Sequence, residues 1–269
     1  MNDARVWLAG ALLFYALQVA AAPAERDLRE RVGFDQHLTQ SLPTELVFRA
    51  EDGARISLAD SLHARPAVLV LGYLDCPNLC TAVLNGLLDS LRQVDLNAGE
   101  AFDVIVVSIA PEETPVLAAQ KKAAYLQAYA RPRSDAGWHF LTGDAPAIDR
   151  LASAVGFRYF FDAELGQYVH PTGIVLITPQ GRIARYWFGV DFPPRELKSS
   201  LIEAANGHVG SLTDRLWLLC ARYDPRTGTY GPLVIDIMRA GALLSVVLLA
   251  GWLVVLHRRG AQRQPVSRP

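Results

Sequence analysis

The sequence predicts an α/β domain of three layers, in which helices cover both faces of a central sheet. Short runs of apolar and branched residues, which are typical of buried strands, alternate with segments whose apolar residues recur at helical spacing. Clusters of Gly, Pro, Asn and Asp separate these segments. The pattern then closes with a hairpin and a last helix. This order of elements is typical of a three-layer sandwich.

The strand around which the domain is organised is predicted at residues 68–73, where the sequence VLVLGY is apolar and rich in branched residues. A helix follows from Cys80 to about residue 96, because its apolar residues recur every three or four positions and Asn97-Ala98-Gly99 can end it. Cys76 and Cys80 therefore lie where a buried strand passes into a helix.

The chain before this strand is predicted to contain a β-hairpin. Residues 46–48 and 55–58 form its strands, and Glu51-Asp52-Gly53 supplies the turn. The segment at 25–42 is charged and carries a short helical pattern near residues 27–31. We expect it to be a leader or an edge segment.

The elements after the first helix follow from the same two periods and from their end signals. Residues 111–115 form a loop and cap before one helix, Thr142-Gly143-Asp144 caps another, and Pro179-Gln180-Gly181 joins two strands in a hairpin. Strands are predicted at residues 102–109, 138–141, 158–161, 174–178 and 182–188. Helices are predicted from just after Pro115 to about residue 129, at 145–155 and at 193–205.

The two ends of the chain predict export and a membrane anchor. An apolar stretch followed by small residues makes residues 1–24 a predicted signal peptide, with an uncleaved N-terminal anchor as the alternative. Residues 233–256 are largely apolar and long enough to span a bilayer. The basic residues of 257–269 place that tail in the cytoplasm. The domain at 43–206 and the juxtamembrane linker at 207–231 are then on the periplasmic or extracytoplasmic side of a bacterial-type cell membrane.

Composition restricts the chemistry. The net charge of −1 gives no electrostatic support for nucleic-acid binding. Three cysteines are too few for a disulfide scaffold. The close pair Cys76 and Cys80 at a helix start therefore indicates redox or metal chemistry, because a helix N-terminus favours the thiolate. A local structural disulfide is the simpler alternative.

His170 is the candidate third member of this site. It precedes the predicted strand at 174–178. If that strand is antiparallel to the central one, its start lies beside Cys76. Two thiolates and one imidazole form a soft donor set, which selects Cu(I), tolerates Cu(II) through the nitrogen, and also accepts zinc.

The chain resembles the SCO/SenC family of thioredoxin-fold copper-handling proteins. The resemblance rests on motifs that follow one another in order between residues 43 and 206. These motifs are Gly72-Tyr73 before Cys76-Pro77-Asn78-Leu79-Cys80, then Ser108-Ile109-Ala110-Pro111-Glu112-Glu113-Thr114-Pro115, then Leu141-Thr142-Gly143, and finally His170.

The resemblance implies a thioredoxin-like fold and copper binding by Cys76, Cys80 and His170. It also implies a metallochaperone that assists assembly of the dinuclear copper centre of cytochrome c oxidase. The expected partner is the copper-bearing subunit of that oxidase or another exported copper or thiol protein. Family members can deliver copper, reduce the cysteines of the oxidase subunit, or do both.

Three positions depart from the family pattern and remove negative charge near the site. Asn78, Ala110 and Val169 stand where family members often carry acidic residues. Loss of anionic neighbours favours the thiolate form of the cysteines. His170-Pro171-Thr172 is also similar to the cis-proline turn of thioredoxins, which would face the thiols if Pro171 were cis.

A different function remains open from the same residues. In a thiol–disulfide oxidoreductase, Cys76 would attack a partner disulfide and Cys80 would resolve the mixed disulfide. His170 would then orient groups or donate a proton. A peroxidase-like thiol enzyme is a weaker alternative, since it needs an arginine beside Cys76.

The remaining candidate residues are expected to have no part in the site. Cys220 is interpreted as a free buried thiol, with an intermolecular disulfide or an accessory metal contact as alternatives. The other histidines are predicted to be structural or surface residues, namely His37, His63, His139, His208 and His257.

Overall fold

The computed structural model describes residues 30–75 and 79–209, without the side chains of Leu79 and Cys80, and short stretches at 223–224, 229–230 and between 241 and 252. The predicted signal peptide, Cys76, Cys220 and the predicted basic tail lie outside the described residues, as do most of the linker and of the predicted membrane helix. Within the described ranges, no helix has both the length and the apolar character required to cross a bilayer.

Strands and helices alternate along the chain as predicted. The strands are β1 (Gly33–Phe34), β2 (Val47–Arg49), β3 (Arg55–Ser57), β4 (Ala67–Gly72), β5 (Asp103–Ser108), β6 (Trp138–Leu141), β7 (Phe157–Arg158), β8 (Phe160–Asp162), β9 (Gln167–Val169), β10 (Gly173–Ile177), β11 (Ile183–Phe188), β12 (Tyr223–Asp224) and β13 (Thr229–Tyr230). The helices are α1 (Leu79–Gln93), α2 (Pro115–Tyr129), α3 (Ala145–Ala154) and α4 (Pro194–Ala205), with a short 3₁₀ helix at Asp135–Gly137.

A five-stranded sheet in the order β11-β10-β4-β5-β6 forms the middle layer. β4, β5 and β6 are parallel, and Gly72 pairs with Ser108 where β4 and β5 end. β10 runs antiparallel to β4, with Val175 opposite Leu69, and forms a hairpin with β11. Every residue of β4 and β5 is buried. This burial on both faces explains why these strands appear in the sequence as continuous apolar runs.

Two hydrophobic cores lie on opposite faces of the sheet. Because side chains alternate along a strand, Val68 of β4 enters the core that contains residues of α1, α2 and α4, whereas Leu69 enters the other core. The second core is closed by α3 and by the β2–β3 hairpin, which contributes Phe48. The helices thus cover both faces of the sheet, as the sequence predicts.

The helix starts follow the predicted signals. The side chain of Thr114 accepts a hydrogen bond from the Leu117 N–H at the start of α2, and that of Asp144 accepts one from the Ala147 N–H at the start of α3. α1 ends at Gln93, earlier than the predicted residue 96. The guanidinium of Arg131 donates hydrogen bonds to the carbonyls of Arg92, Val94 and Leu96, so these carbonyls find partners outside a helix.

Several short segments differ from the prediction. The single strand predicted at 158–161 is two strands with different partners, because β7 pairs with β1 and β8 pairs with β9. The segment predicted as a leader or edge contains β1, which was not predicted as a strand. Strands of two or three residues are too short for a period to be visible in the sequence.

Candidate metal centre

The predicted cysteine pair flanks the junction between β4 and α1. Gly72 ends β4, and Tyr73, Leu74 and Asp75 lead towards Cys76, which lies outside the described residues. Cys80 is the second residue of α1, so its backbone belongs to the first helical turn. Unpaired N–H groups and the helix dipole make this end of a helix electropositive, which favours a thiolate at such a position.

The carboxylate of Glu113 holds the backbone that leads into the cysteine segment. Its Oε2 accepts a hydrogen bond from the Leu74 N–H and its Oε1 accepts one from the Asp75 N–H, both at 2.8 Å. The hydroxyl of Ser108 donates a third hydrogen bond to Oε2 at 2.5 Å. Glu113 therefore ties the loop after β5 to the loop after β4, immediately before Cys76.

Sequence reasoning placed Glu113 in one of the family motifs but gave it no role in the site. The available signal was its position in a loop that follows a parallel strand next to β4. Glu113 and Glu112 also keep negative charge beside the site, although Asn78, Ala110 and Val169 stand where family members often carry acidic residues.

The structure places His170 at the end of β4, as the antiparallel arrangement of β10 predicts. The His170 ring meets the Tyr73 ring edge-on, with 6.0 Å between centroids and an interplanar angle of 82°. Its other neighbour is the Phe157 ring, whose centroid lies 5.9 Å away. The imidazole is therefore held between two aromatic rings, one of which belongs to Tyr73, three residues before Cys76.

A hydrogen bond to the backbone fixes the ring of His170. Its Nδ1 lies 2.9 Å from the carbonyl oxygen of Pro171, a contact in which Nδ1–H donates. Burial lowers the pKa of His170, against the opposing effect of that backbone hydrogen bond, so the neutral imidazole is favoured. In the neutral ring with Nδ1 protonated, the lone pair is on Nε2, which is the form in which histidine binds a metal.

The hypothesis of a cis-proline turn at Pro171 is wrong. The backbone holds no cis peptide bond in the described residues, which include His170 and Pro171. The backbone before Pro171 is therefore trans, and the likeness to the thioredoxin turn does not extend to its conformation. The carbonyl of Pro171 instead accepts the hydrogen bond that orients the ring of His170.

An aromatic wall continues from His170 towards the loop after β5. The ring of Tyr168, in β9, lies 5.7 Å from that of Tyr73 and 5.1 Å from that of Phe161. Its hydroxyl donates to Oε2 of Glu112 at 3.2 Å. Burial, followed by the negative charge of Glu112, raises the pKa of Tyr168, so it stays a neutral donor. Phe161 is half exposed and forms the outer edge of this wall.

The match to a known family covers the whole of this domain. The family model described as SCO1/SenC matches residues 36–206. The chain belongs to the SCO1/SenC family. The resemblance seen in the sequence is thereby confirmed. β4, α1, the Glu113 loop and His170 all fall within the matched residues.

One curated protein is distantly similar to this chain. A Stutzerimonas stutzeri protein described as a candidate copper-binding protein is 26% identical over 128 residues, which are 46% of this chain and 58% of that protein. The match thus spans little more than half of the relative's length.

Solved structures share the mixed α/β fold. A candidate electron transfer protein of Aquifex aeolicus has a TM-score of 0.56 at 20% identity, over 65% of this chain and 98% of that one. Arabidopsis thaliana ScoI, solved with copper bound, has a TM-score of 0.50 at 16% identity, over 63% of this chain and 99% of that one. At these identities the likeness establishes the fold.

Proposed function

We propose that this protein is a membrane-anchored metallochaperone that binds Cu(I) through Cys76, Cys80 and His170. Its role is to pass copper to the copper-bearing subunit of cytochrome c oxidase, or to another exported copper protein, during assembly of the dinuclear centre. The observation that carries the proposal is the position of His170 against Tyr73, at the end of the strand that leads to the cysteines.

The donor set fits Cu(I) in type and in protonation state. Thiolates are soft ligands that select Cu(I) over oxygen-preferring ions, and the helix start at Cys80 favours the thiolate. The lowered pKa of His170 keeps the imidazole neutral near pH 7. Membership of the SCO1/SenC family, a relative described as copper-binding and a copper-loaded relative of the same fold support the assignment.

Transfer needs a site that is ordered but can exchange ligands. The Nδ1–H bond to the Pro171 carbonyl fixes the imidazole, and Glu113 fixes the backbone before Cys76. The backbone of Cys80 belongs to the first turn of α1, and Gly72 ends β4 a few residues before the cysteine segment. Copper would move to the acceptor by stepwise replacement of these ligands, with no change in its oxidation state.

The membrane anchor belongs to the same proposal. We infer a signal peptide at 1–24 and a single span at 233–256, with residues 257–269 in the cytoplasm. A tether raises the effective concentration of the domain near a membrane-bound oxidase. A reporter that is active only in the cytoplasm, fused to the C-terminus, tests this topology. Activity of this fusion supports the topology. Activity of a C-terminal fusion to a reporter that works only outside the cytoplasm contradicts it.

A Cu(I) titration of the full-length chain against a chromophoric chelator tests the copper site. We expect one equivalent to bind, and His170→Ala to weaken binding by more than the roughly 10–100-fold that loss of an outer contact to a metal ligand costs. His208→Ala is the matched control, because His208 is an exposed imidazole after α4. Equal affinity of His170→Ala and His208→Ala would refute the copper site as drawn.

The position of Cys80 in the first turn of α1 also favours a second candidate function, thiol–disulfide exchange. The Cys76 thiolate would attack a partner disulfide and release one partner thiol. Cys80 would then displace the second partner thiol, leaving a reduced partner and a Cys76–Cys80 disulfide. Reduction of a model disulfide peptide by wild type and by His170→Ala at equal rates, together with unchanged Cu(I) affinity, would favour this function over copper delivery.

A further inference from the structure

A cluster of potential metal ligands lies near the amino ends of the parallel strands β4, β5 and β6, at the opposite end from the cysteine segment. His63, Asp103 and His139 each offer one ligand atom, and these atoms all lie within 4.8 Å of one another. Asp103 begins β5, whereas the cysteine segment follows the opposite end of the neighbouring parallel strand β4. The five residue steps along β5 cover about 17 Å, so the cluster is separate from the site of Cys76 and His170.

The sheet itself brings two of these side chains together. Asp103 is on the same face of β5 as Ile105, and His139 of β6 pairs with Ile105 in register. Both side chains therefore point to one face of the sheet. His63 comes from the loop before β4 and approaches from outside, with Nδ1 3.6 Å from Oδ2 of Asp103. Its backbone is left-handed, with φ of 43°, followed by Ala64 with φ of 56°.

His139 has an unusual environment for a structural residue. Its Nε2 is buried and has no hydrogen-bond partner in the part of the chain that the structure describes. A buried polar atom left without a partner costs about 1–3 kcal/mol. Burial, followed by the charges of His63 and Lys122, lowers the pKa of His139 to about 4. The imidazole is therefore neutral at pH 7 and can bind a cation without first losing a proton.

The carboxylate of Asp103 is oriented by Arg65 and also faces His63. Arg65 holds Oδ1 of Asp103 at 2.7 Å through Nη2, but its Nε reaches Oδ2 only at 3.2 Å. Oδ2 is the oxygen that faces His63. The side chain of Asp103 is fully buried, whereas that of His63 is 41% exposed. Solvent therefore reaches the cluster from the His63 side, and Arg65 acts as the partner that orients the carboxylate.

We propose that His63, Asp103 and His139 form a second metal site, which takes a divalent cation of the zinc type. Two imidazoles and one carboxylate are a borderline donor set that suits Zn²⁺ or Cu²⁺ and not the soft Cu(I) ion. The nearby Arg65 guanidinium limits the affinity, because it repels a cation and shares the carboxylate. The protein thus holds two sites of different softness at opposite ends of one sheet.

Calorimetric titration of the full-length Cys76→Ser/Cys80→Ser chain with Zn²⁺ tests this site without the two thiols of the proposed copper site. We expect one equivalent to bind. His63→Asn in the same background should weaken binding by more than about tenfold, since a ligand is lost. Asparagine tolerates the left-handed backbone at this position, so the loop is preserved. His208→Ala is the control for loss of an unrelated imidazole and should bind as the parent does.

Two results would overturn the second site. One is the absence of zinc binding in the Cys76→Ser/Cys80→Ser chain, and the other is equal affinity of the His63→Asn and His208→Ala variants. If the serine chain does not fold, the same titration on wild-type chain with its three cysteines alkylated replaces it. None of these results depends on Cu(I) binding at Cys76, Cys80 and His170.

Discussion

His170 packs edge-on against Tyr73, with 6.0 Å between the ring centroids. Tyr73 directly follows β4, and His170 comes shortly before β10, which runs antiparallel to β4. This contact joins the exit of one strand to the entry of its neighbour. It holds the imidazole at the edge of the sheet where the chain turns towards Cys76.

Replacement of Tyr73 tests whether this contact positions the imidazole. We expect Tyr73→Leu to lower Cu(I) affinity by roughly tenfold, because the His170 ring loses the aromatic edge that orients it. Tyr73→Phe retains the ring and should bind copper as wild type does. Chelator competition measures both variants. Equal affinities for Tyr73→Leu and Tyr73→Phe would contradict a positioning role.

Glu113 is predicted to stabilise the segment before Cys76. Glu113→Gln removes the charge and one of two acceptor oxygens, while three donors remain. We expect the free energy of unfolding to fall by about 2 kcal/mol and Cu(I) affinity to fall with it. Glu112→Gln is the control, because Glu112 is exposed and its carboxylate accepts a hydrogen bond from the hydroxyl of Tyr168. Urea unfolding of both variants gives the comparison, and equal stabilities would contradict the role of Glu113.

The ion pair between Arg65 and Asp103 is predicted to matter for folding. The Asp103 side chain is fully buried and that of Arg65 is 25% exposed. Asp103→Asn leaves the guanidinium without its counter-charge and should cost about 3 kcal/mol of stability. The pair of Arg150 with Glu45 is well exposed on both sides, so Glu45→Gln should change stability little. Thermal unfolding that ranks the two variants equally would contradict this difference.

The lowered pKa of His139 predicts that the protein loses stability in acid. Its folded pKa of about 4 lies below the ordinary value of 6.5, so the unfolded chain binds the extra proton first. The contribution of His139 to the free energy of unfolding is fully present above pH 6.5. It falls by on the order of 3 kcal/mol as the pH decreases towards 4.

His139→Gln should flatten this part of the pH profile, since glutamine does not titrate. Urea unfolding of wild type and His139→Gln between pH 4 and 7.5, without added metal, measures the difference. Glu51, Lys122, Arg65 and His63 also act on His139 and remain in both proteins. A variant with the same acid slope as wild type would show that another group causes it.

Much of the fold was predictable because it rests on long apolar runs. β4 and β5 are buried on both faces and appear as such runs, and the predicted bounds of β6 match the structure. Helix starts were predictable because Thr114 and Asp144 cap them through local contacts. β1 and the split between β7 and β8 were not, because these strands are only two or three residues long and β7 pairs with the distant β1.

The candidate site divides in the same way. The position of His170 was predicted on the condition that the strand at 174–178 is antiparallel to the central strand, and β10 meets that condition. The role of Glu113 depends on the approach of its loop to the backbone of residues 74–75. The spacing of residues in the sequence does not indicate this contact. The cluster of His63, Asp103 and His139 draws on three separate segments. The sequence therefore predicted His63 and His139 only as structural or surface residues and did not indicate that they lie close together.

X-ray absorption spectroscopy of the Cu(I)-loaded chain tests the central claim most directly, because it counts the sulfur and nitrogen ligands of the ion. The account predicts two sulfur ligands and one imidazole nitrogen in wild type and in His208→Ala, and loss of the nitrogen in His170→Ala. A spectrum of wild type with sulfur ligands alone, or an imidazole signal that persists in His170→Ala, would contradict it.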